Sequence, residues 1–369
     1  MSQLATLPRA LSNLPWLVLI TIAAIGVFGL VVLFSAAGGS MTPWAVNQGV
    51  RFGVFFLGMI LLARITPDRW AAIAWPAYII ILVLLFAVEA LGKIGGGSQR
   101  WLDFGILRLQ PSEMMKPGIV LVLARFYSRL PPAYLRSIHA IWPAMAMIAL
   151  PVGLVILQPD LGTALMIMFS GVTVMFMAGL PLWLFLGAGG LVAAALPIVF
   201  SMLHDYQKNR ILIFLDPDSD PLGAGYHISQ SKIAIGSGGL FGKGFMHGTQ
   251  SHLEYLPEMH TDFAFATMAE EWGLIGGVLL ILGFATVLGW GWRVSLAAEN
   301  RFDRLLAGGL VSTIFFYVCI NLMMVMGLAP VVGIPLPLIS YGGSAMMTVM
   351  LMIGMLLSID QNIKKHSSR

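Results

Sequence analysis

Cysteine and charge are both scarce in this sequence. Of its 369 residues only Cys319 is a cysteine, so an intramolecular disulfide and a cysteine-based metal cluster are excluded. Lys, Arg, Asp and Glu together make up only 10% of the chain, whereas a soluble domain typically has about 25%. Apolar residues make up 58% of it. This composition indicates a polytopic membrane protein and excludes a separate soluble catalytic domain of ordinary size.

Ten apolar runs, bounded by charges or by Pro and Gly, have the length of a membrane span, which is roughly 20 residues. They cover residues 16–36, 44–63, 70–91, 113–128, 138–157, 161–179, 182–202, 263–292, 303–327 and 337–359. The fourth run is the weakest, because Glu113, Lys116 and Pro117 stand at its start. We therefore predict an all-α polytopic membrane protein of about ten transmembrane helices, with residues 1–369 forming a single integral membrane domain.

Basic residues predict the sidedness of the chain. Twelve of the 21 lie in segments on one face: Arg9, Arg64, Arg69, Arg125, Arg129, Arg136, Arg293, Arg301, Arg304, Lys364, Lys365 and Arg369. The positive-inside rule places these segments and both termini in the cytoplasm. The net charge of +4 follows from this topology and does not indicate a nucleic-acid partner.

The connection between the seventh and eighth spans, residues 204–262, is unusually long for this chain. It contains five of the seven histidines and many apolar residues, which favour a folded loop over a disordered one. We expect a long external, substrate-handling loop, with residues 228–235 forming a short amphipathic segment at the membrane surface.

Six glycines between residues 236 and 248 surround Lys243 within this loop. Glycine-rich backbone beside a lysine can cradle a phosphate, although the spacing is not that of a P-loop. A set of tight turns explains the glycines equally simply, so both interpretations stay open.

The loop ends at Asp262, immediately before the eighth span. Asp262 could be a helix N-cap, or it could be a carboxylate at the mouth of a cavity, placed to accept a proton. Glu270 and Glu271 lie deep in the apolar run, where an ionised group costs roughly 2.5 kcal/mol or more. We expect both to face the interior of the helix bundle, pair with a cation, or be protonated.

Three further polar segments fall on the same predicted external side. Glu113 and Lys116 are three residues apart, so they share a helix face and can pair or line a polar cavity. Asp160 follows Gln158-Pro159 and most simply caps the sixth span. Ser340 lies in Pro335–Ser344, whose prolines and glycines indicate a broken helix, which protein or a water-filled cavity must cover. Together the segments suggest one shared external cavity.

These motifs resemble the SEDS family of bacterial shape, elongation, division and sporulation proteins. The similarity extends over nearly the whole chain and is most specific from Gln230 to Phe263. It includes Gly242-Lys243-Gly244, the segment Pro257-Glu258-Met259-His260-Thr261-Asp262-Phe263 and the closing Ser340-Tyr341-Gly342-Gly343. The loop residues are more similar to the elongation member of the family than to its division member.

The resemblance implies a peptidoglycan glycosyltransferase that polymerises lipid II on the outer face of the bacterial inner membrane during cell elongation. It implies Asp262 as the catalytic residue, with Glu113, Lys116 and Asp160 in the cavity. It also implies a class B penicillin-binding transpeptidase and other elongation-complex proteins as partners. To substrate binding we further assign Arg210, Lys232, Lys243, His260 and Ser340.

The chemistry of such a transfer requires few groups. Pyrophosphate is already a good leaving group, so one carboxylate acting as base suffices, and we assign that role to Asp262. Cations must balance the developing charge: basic side chains, or a divalent metal such as Mg²⁺ or Mn²⁺, although the sequence requires no cofactor. A flippase or transporter for the same lipid is the main alternative, and a scaffold without chemistry is a third.

Overall fold

Thirteen α-helices form the structure, a computed structural model that describes residues 14–91, 93–95, 98–103, 108–135, 137–202, 205–216, 224–252 and 259–367. The helices are α1 (Trp16–Ala36), α2 (Trp44–Leu62), α3 (Pro67–Leu91), α4 (Pro111–Arg129), α5 (Ile138–Leu157), α6 (Leu161–Met177), α7 (Leu182–Met202), α8 (Asp205–Leu215), α9 (Ala224–Ser237), α10 (Thr249–His252), α11 (Ala264–Ala297), α12 (Arg301–Val325) and α13 (Gly343–Ser367). A helix covers most of each of the ten predicted spans, and α8 to α10 lie in the long connection.

Seven of the described helices are long and apolar enough to cross a membrane: α1, α2, α3, α5, α11, α12 and α13. Apolar stretches of α6 and α7 are shorter, and α4 carries Glu113, Lys116, Arg125 and Arg129 within its length. The structure thus supports a multi-pass helical membrane protein, while the exact number of ten spans stays a prediction.

A small antiparallel sheet interrupts the otherwise helical chain between α3 and α4. Its three strands are β1 (Lys93–Gly95), β2 (Ser98–Asp103) and β3 (Arg108–Leu109), in the order β1-β2-β3. Ile94 is opposite Gln99 in the first pair, and Leu102 is opposite Leu109 in the second. The expectation of an all-α chain therefore needs this local correction.

Helix α4, the weakest of the predicted spans, is the centre of the bundle. It packs against α3, α5, α6, α12 and α13, and all residues from Met115 to Ala124 are buried. Small residues allow the close approach that helix association in lipid requires. A Cβ on Gly309 of α12, for example, would come within 2.6 Å of a Val120 methyl group.

Polar contacts show which helix ends meet. Ser35 at the end of α1 donates to Glu271 near the start of α11, and Gln48 near the start of α2 donates to the carbonyl of Ser340 before α13. Gln110, immediately before α4, donates to Asp160, which precedes α6. The segments predicted to be external therefore gather at one end of the bundle.

The opposite end contains basic residues that the positive-inside rule assigned to the cytoplasm. Arg301 at the start of α12 donates to the carbonyls of Leu130 and Ala178, which follow α4 and α6. Arg304 donates to the carbonyl of Ala298. The two ends of the bundle thus differ in chemistry in the way the sequence predicts.

The boundary predicted for the tenth span was wrong. Helix α13 begins at Gly343 instead of residue 337 and extends to Ser367 instead of residue 359. Leu338 has a left-handed φ of 67°, which a helix cannot accommodate, and the segment from Val331 to Leu336 contains no regular structure. The irregular segment before α13 was the part of this prediction that is confirmed.

Helix α11 breaks at Gly273, where φ is 64° and ψ is −162°. The break removes regular helical hydrogen bonds around Gly273. Residues 239–244, in the glycine-rich segment after α9, form hydrogen bonds with residues 270–275 in their place. Leu274 and Ile275 donate to the carbonyls of Gly239 and Leu240. The N–H groups of Lys243 and Gly244 donate to the carbonyls of Glu270 and Glu271.

The packing of this glycine-rich segment into the break of α11, which we call the insertion, explains two of its glycines, Gly238 and Gly242. A Cβ on Gly238 would come within 2.1 Å of the Ala269 carbonyl oxygen, and one on Gly242 within 2.1 Å of the Glu271 carbonyl oxygen. The N–H groups of residues 242 to 244 all bond to carbonyls of the chain, so they are not available to an anion. The main-chain N–H groups of residues 242 to 244 therefore do not form a phosphate cradle, and the close approach of two backbones is the reason for Gly238 and Gly242.

Candidate active site

Asp262 lies in a turn just before α11. The turn is at the end of the bundle where the segments predicted to be external gather, which we call the site end. Its main-chain carbonyl accepts a hydrogen bond of 3.1 Å from the amide of Asn321, which donates a second bond, of 2.7 Å, to the carbonyl of Ile334. Its carboxylate faces Gly333, where a Cβ would stand 3.5 Å from Asp262 Oδ2. The fully buried Asn321 thereby fixes the turn against both α12 and the irregular segment before α13.

The alternative role of Asp262 as a helix cap is excluded by this geometry. Helix α11 begins at Ala264, and its N-cap is Phe263, which makes no side-chain capping bond. Phe263 accepts the first main-chain bonds through its carbonyl, from Ala266 and Thr267. Asp262 stands outside the helix and is partly exposed, and its role as a reactive carboxylate stays a prediction.

Next to this turn, Glu113 and Lys116 form the predicted ion pair. Lys116 Nζ lies 2.7 Å from Glu113 Oε1 and 2.8 Å from the hydroxyl of Tyr317, which itself donates to the other carboxylate oxygen. Lys116 is fully buried and Glu113 is 5% exposed. Tyr317 stands one helical turn before Asn321, so this buried group and the Asp262 turn both contact the same face of α12.

Asp160 caps α6, as its position predicts. Its Oδ1 accepts from the N–H of Thr163 at 3.1 Å, and its Oδ2 accepts from Gln110 at 3.3 Å. A Cβ on the next residue but one, Gly162, would come within 2.6 Å of the Val332 carbonyl oxygen. Asp160 is therefore buried against the same irregular segment that faces Asp262, and the structure brings these carboxylates together around it.

His260 and Ser340 hold the opposite side of the turn. The His260 ring stacks on Trp44 with centroids 4.5 Å apart, and its carbonyl accepts from the N–H of Tyr341 at 2.8 Å. The Ser340 hydroxyl accepts from the N–H of Leu336 at 2.9 Å, which closes the irregular loop. Both residues thus have positioning contacts, and their binding of substrate stays a prediction.

Glu270 and Lys243 form an ion pair and neutralise each other's charge. Lys243 Nζ lies 2.6 Å from Glu270 Oε1, and that oxygen also accepts from the N–H groups of Thr249 and Gln250. Glu270 is completely buried, and Glu271 accepts from Ser35. Both acids therefore face the protein interior as expected, and Lys243 would have to leave Glu270 before it could bind a phosphate.

The remaining assigned cations are Lys232 and Arg210. Lys232 of α9 is exposed, and its side chain lies against Gly327, which follows α12. Arg210 belongs to α8, but its side chain lies outside the described part of the structure. Pro257 and Glu258 of the signature segment also lie outside the described residues.

Sequence reasoning missed Tyr317 and Asn321, which connect the two halves of the site. The signal was present: two polar side chains four residues apart in an apolar span share one face and must find partners inside the protein. Within the described ranges, no group of three or more His, Cys, Asp or Glu residues could hold a metal ion.

Comparison with known proteins identifies relatives along almost the entire chain. The family model described as "Cell cycle protein", which represents FtsW, RodA and SpoVE, matches residues 15–365. The peptidoglycan glycosyltransferase MrdB of Escherichia coli is 46% identical over 354 residues, which is 95% of this chain and 94% of that protein.

Solved structures share the fold. A chain from a peptidoglycan synthase complex, described as coordinating polymerization and crosslinking, superposes with a TM-score of 0.82 and 32% identity. The match covers 95% of this chain and 98% of that one. The rod shape determining protein RodA of Thermus thermophilus superposes with a TM-score of 0.72 and 31% identity, over 95% and 97% of the two chains.

Proposed function

The chain belongs to the family of cell cycle proteins that comprises FtsW, RodA and SpoVE, and we propose that Asp262 is its catalytic base. It is a peptidoglycan glycosyltransferase, as is the relative that is 46% identical to it. Its proposed substrate is lipid II, a disaccharide attached through pyrophosphate to a polyprenyl lipid.

The observation that carries the proposal is the position of the Asp262 carboxylate. It stands outside α11, partly exposed, while its main chain is fixed by Asn321. Glu113 and Asp160 nearby are buried and engaged by Lys116, Tyr317, Thr163 and Gln110. We therefore propose that Asp262, which is partly exposed where the other two carboxylates are buried, is the one that meets a substrate hydroxyl.

The proposed reaction is a direct displacement. Asp262 accepts the proton of the 4-hydroxyl of the acceptor sugar as that oxygen bonds to the anomeric carbon of the donor. The bond between this carbon and the pyrophosphate oxygen breaks, and the polyprenyl pyrophosphate leaves with the electron pair. Attack from the opposite face converts the α-linkage into a β-linkage, and no covalent enzyme intermediate forms.

Stabilisation of the leaving pyrophosphate requires positive charge. We assign part of that charge to Lys116, which is buried and which Glu113 and Tyr317 hold in place. A contribution of Mg²⁺ or Mn²⁺ to stabilising the leaving pyrophosphate stays a prediction. Phosphate oxygens of the substrate are among the oxygen ligands that Mg²⁺ accepts.

The proposal also includes the orientation of the protein in the membrane and its partner proteins. We place the site end of the bundle on the periplasmic side of the inner membrane, with both termini in the cytoplasm, because the opposite end contains the basic segments. We also propose a class B penicillin-binding transpeptidase and other elongation-complex proteins as partners. A similar chain from a complex that coordinates polymerization and crosslinking supports this partnership.

Polymerisation by purified protein tests the assignment of Asp262. The Asp262→Asn variant, with the transpeptidase partner present, should form glycan strands from lipid II about 100- to 10,000-fold more slowly than the wild type. Asp303→Asn, which alters an acid at the opposite end of the bundle, serves as the matched control and should retain polymerisation. Strand formation by Asp262→Asn at the wild-type rate would contradict the assignment.

A lipid II flippase is the alternative function. A transporter typically has its binding site near the middle of the membrane, whereas the polar contacts described above gather at one end of the bundle. Detergent-solubilised protein distinguishes the two functions, because a flippase needs a membrane with two sides. We expect glycan strands in detergent, and their absence from an otherwise active preparation would favour the flippase.

A further inference from the structure

Arg51 is a partly exposed cation within α2 that no acid among the described residues neutralises. It lies about two turns into α2, and within the described part of the chain its guanidinium makes no ion pair or hydrogen bond. Lys116 and Lys243, in contrast, are each paired with a glutamate. An ionised residue inside a membrane span is costly unless something compensates it, and a bound anion would compensate Arg51.

The surroundings of Arg51 connect it to the Asp262 turn. Its guanidinium carbon lies 5.0 Å from the centre of the Tyr341 ring, and a Cβ on Gly343 would come within 3.2 Å of Nη1. Tyr341 donates through its N–H to the carbonyl of His260, and it packs edge-on against Trp44. Arg51 therefore lies beside the turn but is separated from Asp262 by Tyr341 and His260.

Arg51 is also accessible from lipid. The residues before and after it on α2 expose an apolar face, with Val50 62% and Val54 61% exposed. Lys116 has no exposed surface. A phosphate attached to a long lipid tail could thus approach Arg51 from the side of the bundle while its tail stays in the bilayer, whereas it could reach Lys116 only after a rearrangement.

We propose that Arg51 binds the pyrophosphate of the acceptor lipid II, an inference that rests on the proposed function. In the donor, pyrophosphate is bonded to the reacting carbon, so it lies within the reaction centre, across that carbon from the hydroxyl that Asp262 deprotonates. In the acceptor, the reacting 4-hydroxyl and the pyrophosphate are at opposite ends of the disaccharide. A cation set apart from Asp262 by two side chains suits the acceptor, and a guanidinium binds phosphate oxygens in a bidentate manner.

Separate variation of the two substrates tests this inference. A labelled lipid II analogue in which hydrogen replaces the acceptor 4-hydroxyl can serve only as donor, and unlabelled lipid II is the acceptor. For Arg51→Gln we expect the acceptor KM to rise about 10- to 100-fold, with the donor KM unchanged and kcat within a few-fold of wild type. Arg51→Lys, which keeps the charge but loses the bidentate geometry, should show an intermediate acceptor KM.

Two further variants separate binding from folding. Arg293→Gln removes an exposed arginine from the other half of the molecule and should leave both KM values unchanged. Gly343→Ala places a methyl group against the guanidinium, so it should raise the acceptor KM with Arg51 still present. Thermal unfolding in detergent identifies any variant that fails to fold, and Arg51→Lys then carries the test.

Each outcome has one meaning. A raised donor KM with an unchanged acceptor KM, or unchanged values for both, would overturn the acceptor assignment while leaving Asp262 as base intact. A lower kcat with both KM values unchanged would make Arg51 a structural residue and would also overturn it. Failure of the wild-type protein to transfer the label would instead count against the proposed function itself.

Discussion

The buried group of Glu113, Lys116 and Tyr317 shows how much depends on single residues at this site. The two charges neutralise each other, and the tyrosine hydroxyl bonds to both. Removing one member of a buried ion pair leaves an uncompensated charge in the interior, which is far more costly than the loss of an exposed pair.

Glu113→Gln should therefore lower the free energy of unfolding by about 3–5 kcal/mol, because it leaves the Lys116 charge unpaired. Tyr317→Phe, which removes one hydrogen bond from each partner, should lower it by about 1–3 kcal/mol. Chemical denaturation in detergent measures both changes. Lys364→Gln disrupts the more exposed pair with Asp360 and should cost no more than about 1 kcal/mol. Equal costs for Glu113→Gln and Lys364→Gln would refute the argument.

The sequence predicted these residues unevenly, and the reason is physical. The Glu113–Lys116 pair and the Asp160 cap depend on local spacing, which the sequence shows directly. The contacts of Asn321 with Asp262 and of Tyr317 with Glu113 join helices that are far apart in the chain. Spacing alone does not show which distant helices meet, so these two residues were missed.

At the scale of elements, the broken helix α11 and the inserted glycine-rich segment form one structural unit. Each backbone supplies the hydrogen bonds that the other lacks around Gly273, and the Lys243–Glu270 pair joins the same two segments. The sequence showed the glycines of the loop but not the break, because Gly273 is one of six glycines in residues 263–292 and its local sequence does not distinguish it. Two interpretations of the glycines therefore remained until the packing of the two backbones was known.

Gly242→Ala should destabilise this unit by more than about 2 kcal/mol, because φ is 79° and a Cβ would overlap the Glu271 carbonyl. Gly236→Ala is the matched control, since nothing lies within 4 Å of its Cβ position. A helix-compatible alanine there should be neutral or slightly stabilising. Thermal unfolding measures the midpoint temperatures of the two variants. Similar midpoints would contradict the close packing of Gly242 against the Glu271 carbonyl.

At the scale of the whole molecule, the bundle has one end with the candidate site and one end with basic segments. Composition and apolar runs predicted the helical membrane architecture, and the relatives confirm it. The small sheet after α3 and the late start of α13 at Gly343 were not predicted. Both depend on local turns in short segments, where hydropathy over a long window carries no information.

Substituted cysteines test the predicted sidedness, in a chain where serine replaces Cys319. A cysteine at Ser40, in the exposed connection between α1 and α2, should react with a membrane-impermeant maleimide in intact spheroplasts. A cysteine at Glu299, in the exposed connection between α11 and α12, should react only after the membrane is permeabilised. The reverse pattern would place the candidate site in the cytoplasm and invalidate the periplasmic assignment.

The central claim is that the Asp262 carboxylate removes the proton from the acceptor sugar. Its most direct test is the single-turnover rate of glycosidic bond formation by Asp262→Asn, measured by rapid quench with donor and acceptor both saturating. We predict a chemical step about 100- to 10,000-fold slower than in the wild type, with the affinity for lipid II unchanged. A chemical step within a few-fold of the wild-type rate would contradict the account.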